Sequence, residues 1–439
     1  MRVGLALLNR LAGVRALDRF GLRRPVERTV FQATKTGFRT LGAASRTFSA
    51  AQRSRPDSSA RRLPAVARPK LFDLTPTDEQ RMIQQAATEF AAEQLRPAAA
   101  DADTSCQAPE LLLSRAASEL GISYLGVPTE LGGAGSERSA VTGALVAEAL
   151  GHGDMGLAVA LLAPAAVSTA LVLWGTEQQQ ASYLPAFLTD SPPAAALAVL
   201  EPRPLFDPFT LSTTARPSGD GFVLDGVKAL VPGAARAELF VIAAQVPGEG
   251  PSLFLVESDT SGLIVEAEPA MGLRAAGMGR LVLDEVRISA AARLGGVSPA
   301  ERAEAYADCI RLGRLAWAAL AVGTAQAVLD YVIPYVNDRQ AFGEPISNRQ
   351  SVAFMVADIG IELEGMRLAT YRAASRAEQG RSFAREAMLA RTLTSEHGMQ
   401  IGSNGVQLLG GHGFVKEHPV ERWYRDLRAA GLMEGAVLI

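Results

Sequence analysis

Three textures of apolar and polar spacing follow one another along the chain. From FDLTPTDEQRMIQQAATEFAAEQL onward, Met82, Ile83, Ala86, Phe90 and Ala91 fall on one helical stripe. Thr75 suits an N-cap, Pro76 the first helical position and Asp78 the first turn, and Pro97 reads as the stop. Ala- and Leu-rich helical segments continue to about Pro185, broken by GVPTELGGAG and WGTEQQQASYLP. Near residue 195 the pattern changes to short runs rich in Val, Leu, Ile and Phe: GFVLDGVKALV, AELFVIAAQV, SLFLVES, LIVEAEP and GRLVLDEVRIS. Gly and Pro separate them, which predicts an antiparallel sandwich or barrel of roughly a hundred residues. From about Ser298 long helical patterns return. RLAWAALAVGTAQAVLDYVIPYVNDRQ is small or apolar on nearly every face, as for a helix buried in a bundle, with Pro334 placed to kink it near its end. Two further helices follow, SVAFMVADIGIELEGMRLATYRAASRA and FAREAMLARTLTSEHGMQIGSNGVQLL. The predicted fold class is α+β: an N-terminal α-helical domain over 73–193, a middle antiparallel β domain over 194–296 and a C-terminal four-helix bundle over 297–439. A basic arm and linker over 1–72 precede them.

A chain of 439 residues, 48% hydrophobic and 20% charged, is expected to form two or three globular domains. No segment reads as the roughly 20 uninterrupted apolar residues of a membrane span. Cys106 and Cys309 are too far apart for a disulfide framework or a CxxC metal site, and His152, His397, His412 and His418 are scattered, without zinc spacing.

The net charge of −3 conceals an asymmetry. Residues 1–70 carry sixteen Arg and Lys against Asp18, Glu27 and Asp57, a net of +13, so the remainder carries −16. Leu7, Leu8, Leu11, Val14 and Leu17 add helical spacing, and SAAQRSRPDSSARRLPAVARPK reads as a linker. Two readings fit: a mitochondrial transit peptide, or a retained amphipathic arm on anionic lipid. The Ala/Arg-rich style of a GC-rich bacterium favours the arm. The expectation is a bacterial cytoplasmic protein in peripheral membrane contact through residues 1–50, with the mitochondrial matrix as the alternative. Nucleic acid is not expected as a partner, because Phe20, Phe31, Phe38 and Phe48 are spread out and no recognition motif follows.

P-loop and GxGxxG signatures are absent. Phosphate could instead be met by DRQAFGEPISNRQ, where Arg339 offers a planar fork, Phe342 a stacking ring, Gly343 and Pro345 a rigid turn, and Gln350 opens the next helix. In QLLGGHGF (407–414) backbone N–H groups could approach a ligand closely. Taken singly, Arg339 reads as well as a surface ion pair, and QLLGG as a helix stop. The tail AAGLMEGAVLI contains one charge, Glu434. It is either an exposed residue on a fraying end or a base in a dry pocket with its affinity for protons raised.

In combination these pieces resemble the acyl-CoA dehydrogenase family from about residue 73 to the end. LTPTDEQ, GVPTELGGAG, WGTEQQQASYLP, RxxFGxPIxxxQ (339–350), QxxGGxGF (407–414), VERWYRD (420–426) and MEG (433–435) fall in that family's order and spacing. The resemblance implies a flavoprotein that converts an acyl-CoA thioester to the trans-2-enoyl-CoA, as in fatty-acid β-oxidation. It makes Glu434 the base that removes the α-proton, and N5 of FAD the hydride acceptor. Gly435 lets the backbone approach the substrate, and Arg314 lies near the thioester end of the cleft. Gly313, just before Arg314, leaves no carboxylate where some family members carry their base on that helix. Arg339, Phe342 and Gln350 would bind the FAD diphosphate and adenine of a neighbouring subunit, with Gln407, Gly410 and Gly411 completing that site. A homotetramer or homodimer and an electron-transferring flavoprotein or similar acceptor are implied partners. The basic arm would suit a long-chain acyl-CoA.

The chain departs from the family at the flavin ring. In LAVLEPRPLFDPF, Leu200 stands for a threonine, with Glu201 and Pro202 kept. In KALVPGA, Leu230 stands for a tryptophan, and Pro232 for a threonine whose hydroxyl and N–H face N5. Ala275, Ala276 and Gly277 replace a Ser-x-Thr, Ala436 replaces a threonine, and the family's final helical stretch does not follow Ile439. Each lost hydrogen bond weakens the cofactor by roughly 1 kcal/mol. The alternative reading is therefore a non-catalytic subunit or binding module that keeps the fold within a hetero-oligomer.

Overall fold

The structure, a computed structural model, describes residues 75–133 and 138–439; the basic arm and linker over 1–72, with the membrane contact expected of them, lie outside the described residues. Helix α1 (Asp78–Phe90) starts two positions later than the sequence pattern suggests. Its N-cap is Thr77, whose Oγ1 accepts the Gln80 N–H while the Gln80 side chain accepts the Thr77 N–H. Pro97 does not stop the helix. The chain passes through one π turn (Ala91–Leu95), in which the Arg96 N–H reaches back to the Ala91 carbonyl, into α2 (Arg96–Ser105), and Pro97 lies directly after that wider turn. The stop is Cys106, in the left-handed region at φ 55°.

Helices α3 (Glu110–Leu120), α4 (Ala140–Gly153), α5 (Met155–Trp174) and α6 (Glu177–Phe187) complete this part. Helix α5 corrects the expectation that no segment is apolar enough to span a membrane. It has 20 residues and a mean hydropathy of 2.2, yet 83% of that stretch is buried inside the fold. It is a core helix, uncharged along its length because every face meets protein.

Strands β1 (Ala195–Ala198), β2 (Thr214–Ser218), β3 (Gly221–Val231), β4 (Leu239–Val246), β5 (Gly250–Glu257), β6 (Leu263–Ala267) and β7 (Gly279–Ser289) form one sheet in the order β1-β4-β2-β3-β7-β6, with β5 on β4. Pairing is antiparallel except that β1 runs parallel to β4, Ala195 opposite Leu239, and β2 meets β4 at one parallel bridge, Thr214–Gln245. Both faces of β4 are buried, which explains its near-continuous apolar run.

Helix α7 (Pro299–Asp338) is the axis of the C-terminal part, capped by Ser298 and Glu301. It lies hard against α4: a Cβ on Gly323 would stand 1.9 Å from the Glu148 carbonyl oxygen. Pro334 lies inside α7 and the helix continues past it to Asp338. The two-residue strands β8 (Gln340–Ala341) and β9 (Glu344–Pro345) then form a hairpin. Helix α8 (Gln350–Glu378) and α9 (Ala384–Leu409) pack along α7, and short α10 (Val420–Leu427) and α11 (Ala429–Leu432) lead to the tail. That tail is not frayed. Met433 to Ile439 are all buried, and the Ala436 N–H donates to the Leu197 carbonyl at 3.2 Å, so the chain lies along β1.

Candidate active site

Glu434 is 4% exposed and is not alone. Arg314, projecting from α7, grips its carboxylate with Nε at 3.0 and 3.1 Å from the two oxygens and Nη2 at 2.7 Å from Oε1. Arg391, projecting from α9, brings its Nη2 to 3.2 Å from the same Oε1. The carboxylate is therefore buried rather than exposed on a frayed end, and it is ion-paired between two guanidinium groups. Burial lowers the Arg391 guanidinium below its ordinary value, and Arg314 adds to that, while the Glu434 charge opposes it. Burial and then the Glu434 charge push the Cys309 thiol well up, and burial does the same to the Tyr306 hydroxyl.

The backbone beside Glu434 is fixed from three sides. Gly435 has φ +69°, and a Cβ there would come 2.5 Å from Val199 Cγ2, so only glycine fits against the end of β1. Trp317 Nε1 of α7 donates to the Gly435 carbonyl at 2.8 Å. The Arg391 Nη1 donates to the carbonyls of Ala430 and Met433 at 3.0 and 2.8 Å. Among the described residues, the Glu434 backbone N–H meets no acceptor. Gly313 lies under this tail with room for nothing large, since a Cβ would stand 3.3 Å from the Val437 carbonyl oxygen.

Contact with Val199 ties the carboxylate to the segments that depart from the family pattern. Lys228, fully buried, donates to the Val199 carbonyl at 3.1 Å and to Glu201 Oε1 at 3.0 Å. Burial pushes the Lys228 ammonium down to about 8. Glu201 also accepts the Ser212 and Thr213 N–H groups at 2.7 and 2.8 Å; against the cost of burial, the Lys228 charge and these bonds hold it below its ordinary value. Leu200 accepts the Ala229 N–H, the Leu230 N–H is spent on Glu268 Oε2 at 2.6 Å, and the Gly233 N–H on the carbonyls of Ala276 and Gly277.

Arg314, Glu434 and Gly435 are thus brought together, whereas Arg339, Phe342, Gln350, Gln407, Gly410 and Gly411 are not among them. Arg339 closes α7, Phe342 lies in the hairpin after it, Gln350 opens α8, Gln407 lies in the last turn of α9 and Gly410 and Gly411 follow it; all six are open to solvent in the single chain. Tyr335, one turn before Arg339, ties α7 to the turn after α9: its hydroxyl lies 3.0 Å from His412 Nδ1 and 3.4 Å from the Leu409 carbonyl oxygen. Twenty-five residues of helix separate Arg314 from Arg339, about 38 Å at 1.5 Å per residue. Gly410 has φ +56°, and Phe342 is 94% exposed. Among the described residues no cluster of His, Cys, Asp and Glu forms a metal site.

Two residues of this region escaped sequence reading. Arg391 lies on the stripe of Ala387, Thr394 and Gly398, which is the buried face of α9; a charge within that stripe was the available signal. Lys228 sits among apolar neighbours in β3, with no sequence sign that Glu201 is its partner.

Comparison with known proteins identifies the family. Three family models match: the acyl-CoA dehydrogenase N-terminal domain at residues 77–191, the middle domain at 196–286 and the C-terminal domain at 304–437. The mitochondrial short-chain specific acyl-CoA dehydrogenase of Bos taurus is 33% identical over 364 residues, which cover 81% of this chain and 86% of that protein. Butyryl-CoA dehydrogenase from Megasphaera elsdenii superposes with a TM-score of 0.75 at 27% identity, covering 83% of this chain and 96% of that one. PigA in complex with FAD superposes with the same TM-score at 29% identity, covering 83% and 95%. With all three domains in their order, the chain is an oxidoreductase that belongs to the acyl-CoA dehydrogenase family.

Proposed function

We propose that this protein dehydrogenates an acyl-CoA thioester to the trans-2-enoyl-CoA, with Glu434 removing the α-proton. The observation that carries the reading is a buried carboxylate held by Arg314 and Arg391 against the end of β1. Two guanidiniums fix where the carboxylate oxygens stand, which is what a base needs if it is to meet one particular proton. The α-proton of a thioester becomes acidic only as charge moves to the carbonyl oxygen, so a donor must meet that oxygen. The Glu434 N–H, without an acceptor in the described fold, is suited to that part.

FAD is the cofactor of this reading and, when bound, supplies the acceptor for the β-hydride. The chain's residues fit its diphosphate and adenine half. Arg339 is exposed at the end of α7, and Gly410, at φ 56° and ψ −131°, holds a backbone conformation closed to other residues. Arg339, Phe342, Gln350, Gln407, Gly410 and Gly411 would hold that half, and their distance from Glu434 along α7 supports a cofactor shared between two subunits. The ring half is apolar: Leu200 is buried, Leu230 partly so, and the neighbouring N–H groups are already bonded within the fold. That last observation favours a second reading, a non-catalytic subunit that keeps the fold. Acyl-CoA as substrate and an electron-transferring flavoprotein as acceptor fit the family.

The test is anaerobic titration of the purified protein with acyl-CoAs of graded length, following the flavin absorbance. Bleaching in the wild type, together with binding but no bleaching in Glu434→Gln, supports the first reading. Colourless protein that binds acyl-CoA supports the second, and normal bleaching by Glu434→Gln overturns the assignment of the base.

A further inference from the structure

The two arginines on Glu434 hold different things. Arg314 directs Nε and Nη2 at the carboxylate alone, its Nη1 reaching only the Met388 sulfur at 3.8 Å. Arg391 holds both the carboxylate and the chain that carries it. Besides the 3.2 Å approach to Glu434 Oε1, its Nη1 binds the carbonyls of Ala430 and Met433, and its Nη2 binds that of Gly431 at 3.1 Å. Those are carbonyls at the end of α11, which has no later turn to accept from. The fork of one guanidinium closes the helix end and meets the side chain two residues beyond Leu432. A lysine, whose three donors radiate from one nitrogen on a flexible stem, cannot reach all four of these oxygens. Beneath the loop, Gly431 packs so close to α9 that a Cβ would stand 2.4 Å from Ser395 Oγ. The loop therefore depends on α9 for its course, and Arg391 is where α9 grips it.

Resting on the reading of Glu434 as the base, we infer that Arg391 is a positioning residue for proton abstraction. It fixes where the carboxylate stands, through the carboxylate itself and through the backbone before it. The groups facing the carboxylate are Arg314, with Tyr306 and Cys309 sensing its charge from the same helix α7, and Arg391 from α9. Removing Arg391 thus takes away one of two cations together with the anchor of the loop, and leaves Arg314 free to draw the carboxylate toward α7.

The experiment uses the full chain as purified, with Arg391→Met, Arg391→Lys, Glu434→Gln and the double variant Arg391→Met/Glu434→Gln. Rates of flavin bleaching are measured with acyl-CoA deuterated at the α-carbon or at the β-carbon, and thermal unfolding is followed on the same proteins. In Arg391→Met the bleaching rate is expected to fall on the order of 100-fold, as for a misplaced catalytic group. Half-saturation by acyl-CoA stays unchanged. The isotope effect at the α-carbon grows and that at the β-carbon does not, an outcome that loss of stability alone would not produce. Arg391→Lys recovers part of the rate and serves as the working variant should Arg391→Met not fold. In thermal unfolding the double variant loses less than the sum of the single losses, because the two side chains interact directly. The inference is overturned if either Arg391 variant shows the wild-type rate and α-isotope effect, or if the losses in unfolding temperature are additive. Normal bleaching by Glu434→Gln would overturn the base assignment instead, so the two failures are told apart.

Discussion

Trp317 Nε1, in the core of α7, donates to the carbonyl oxygen of Gly435, the residue after Glu434, at 2.8 Å. The same carbonyl accepts the Val437 N–H at 2.8 Å, so it is held from both sides. Trp317→Phe keeps an aromatic side chain, removes one of the two bonds and leaves a void where the larger indole was buried. The lost bond costs about 1 kcal/mol, since the second donor remains, and the void adds to it, for a total of roughly 2–3 kcal/mol. The rate of flavin bleaching should fall further than stability does. Urea unfolding and stopped-flow reduction measure the two separately.

Gly435→Ala should be worse. The substitution puts a side chain in the left-handed region, which costs about 1–2 kcal/mol by itself, and its Cβ meets Val199 Cγ2 at 2.5 Å. Displacing the Glu434 carboxylate should cut bleaching on the order of 100-fold. Adding Val199→Ala recovers only part of it, since the Val199 Cβ still lies 2.9 Å away and the backbone angle is unchanged.

Lys228→Met removes the cation beneath β1 and leaves Glu201 buried with a charge that its backbone donors only partly satisfy. A loss of about 3–5 kcal/mol is expected from urea unfolding. Adding Glu201→Gln should restore much of it, since the cost lies in the stranded charge.

A test in trans follows from the two ends of α7. If the Arg339 of one chain serves the Glu434 of another, subunits carrying Arg339→Met and subunits carrying Glu434→Gln are each inactive alone. Refolded together, they should regain bleaching at the sites that combine the two intact residues. Mixtures as inactive as the parents would show that each chain serves itself.

Asp426 of α10 is fully buried, accepts the Leu273 N–H at 2.6 Å, and burial, with the neighbouring Asp154 adding to it, pushes its carboxyl up to about 8. The folded state then keeps a proton that the unfolded state releases near pH 4. Stability from this group is complete below about pH 4 and falls as the pH rises toward 8. Asp426→Asn keeps the acceptor without the charge. Its unfolding temperature should exceed that of the wild type above pH 8, and the gap should close toward pH 4.

The α+β order of the chain was legible because each stretch keeps its own period: the helical stripe of α1, the short Val- and Phe-rich runs of the sheet, the small and apolar run within α7, the glycine that ends α9. Local signals misplaced a boundary where two candidates lay side by side, as with Thr75 and Thr77. They also misread Pro97, because a proline that ends a helix and one that begins the next turn look alike in one dimension. Apolar length alone could not tell the core helix α5 from a membrane span, since both are uniformly uncharged.

What the amino-acid order determined by itself is local: secondary structure, the motif spacings and Glu434 as the lone charge of an apolar tail. What only the tertiary structure decided is which charges meet. Arg391 lies 43 positions before Glu434 and Arg314 lies 120 before it, and neither separation carries a period. An ion pair in a dry pocket depends on distance and on desolvation, and both are set by how α7, α9 and the tail pack, which no pattern along the chain expresses.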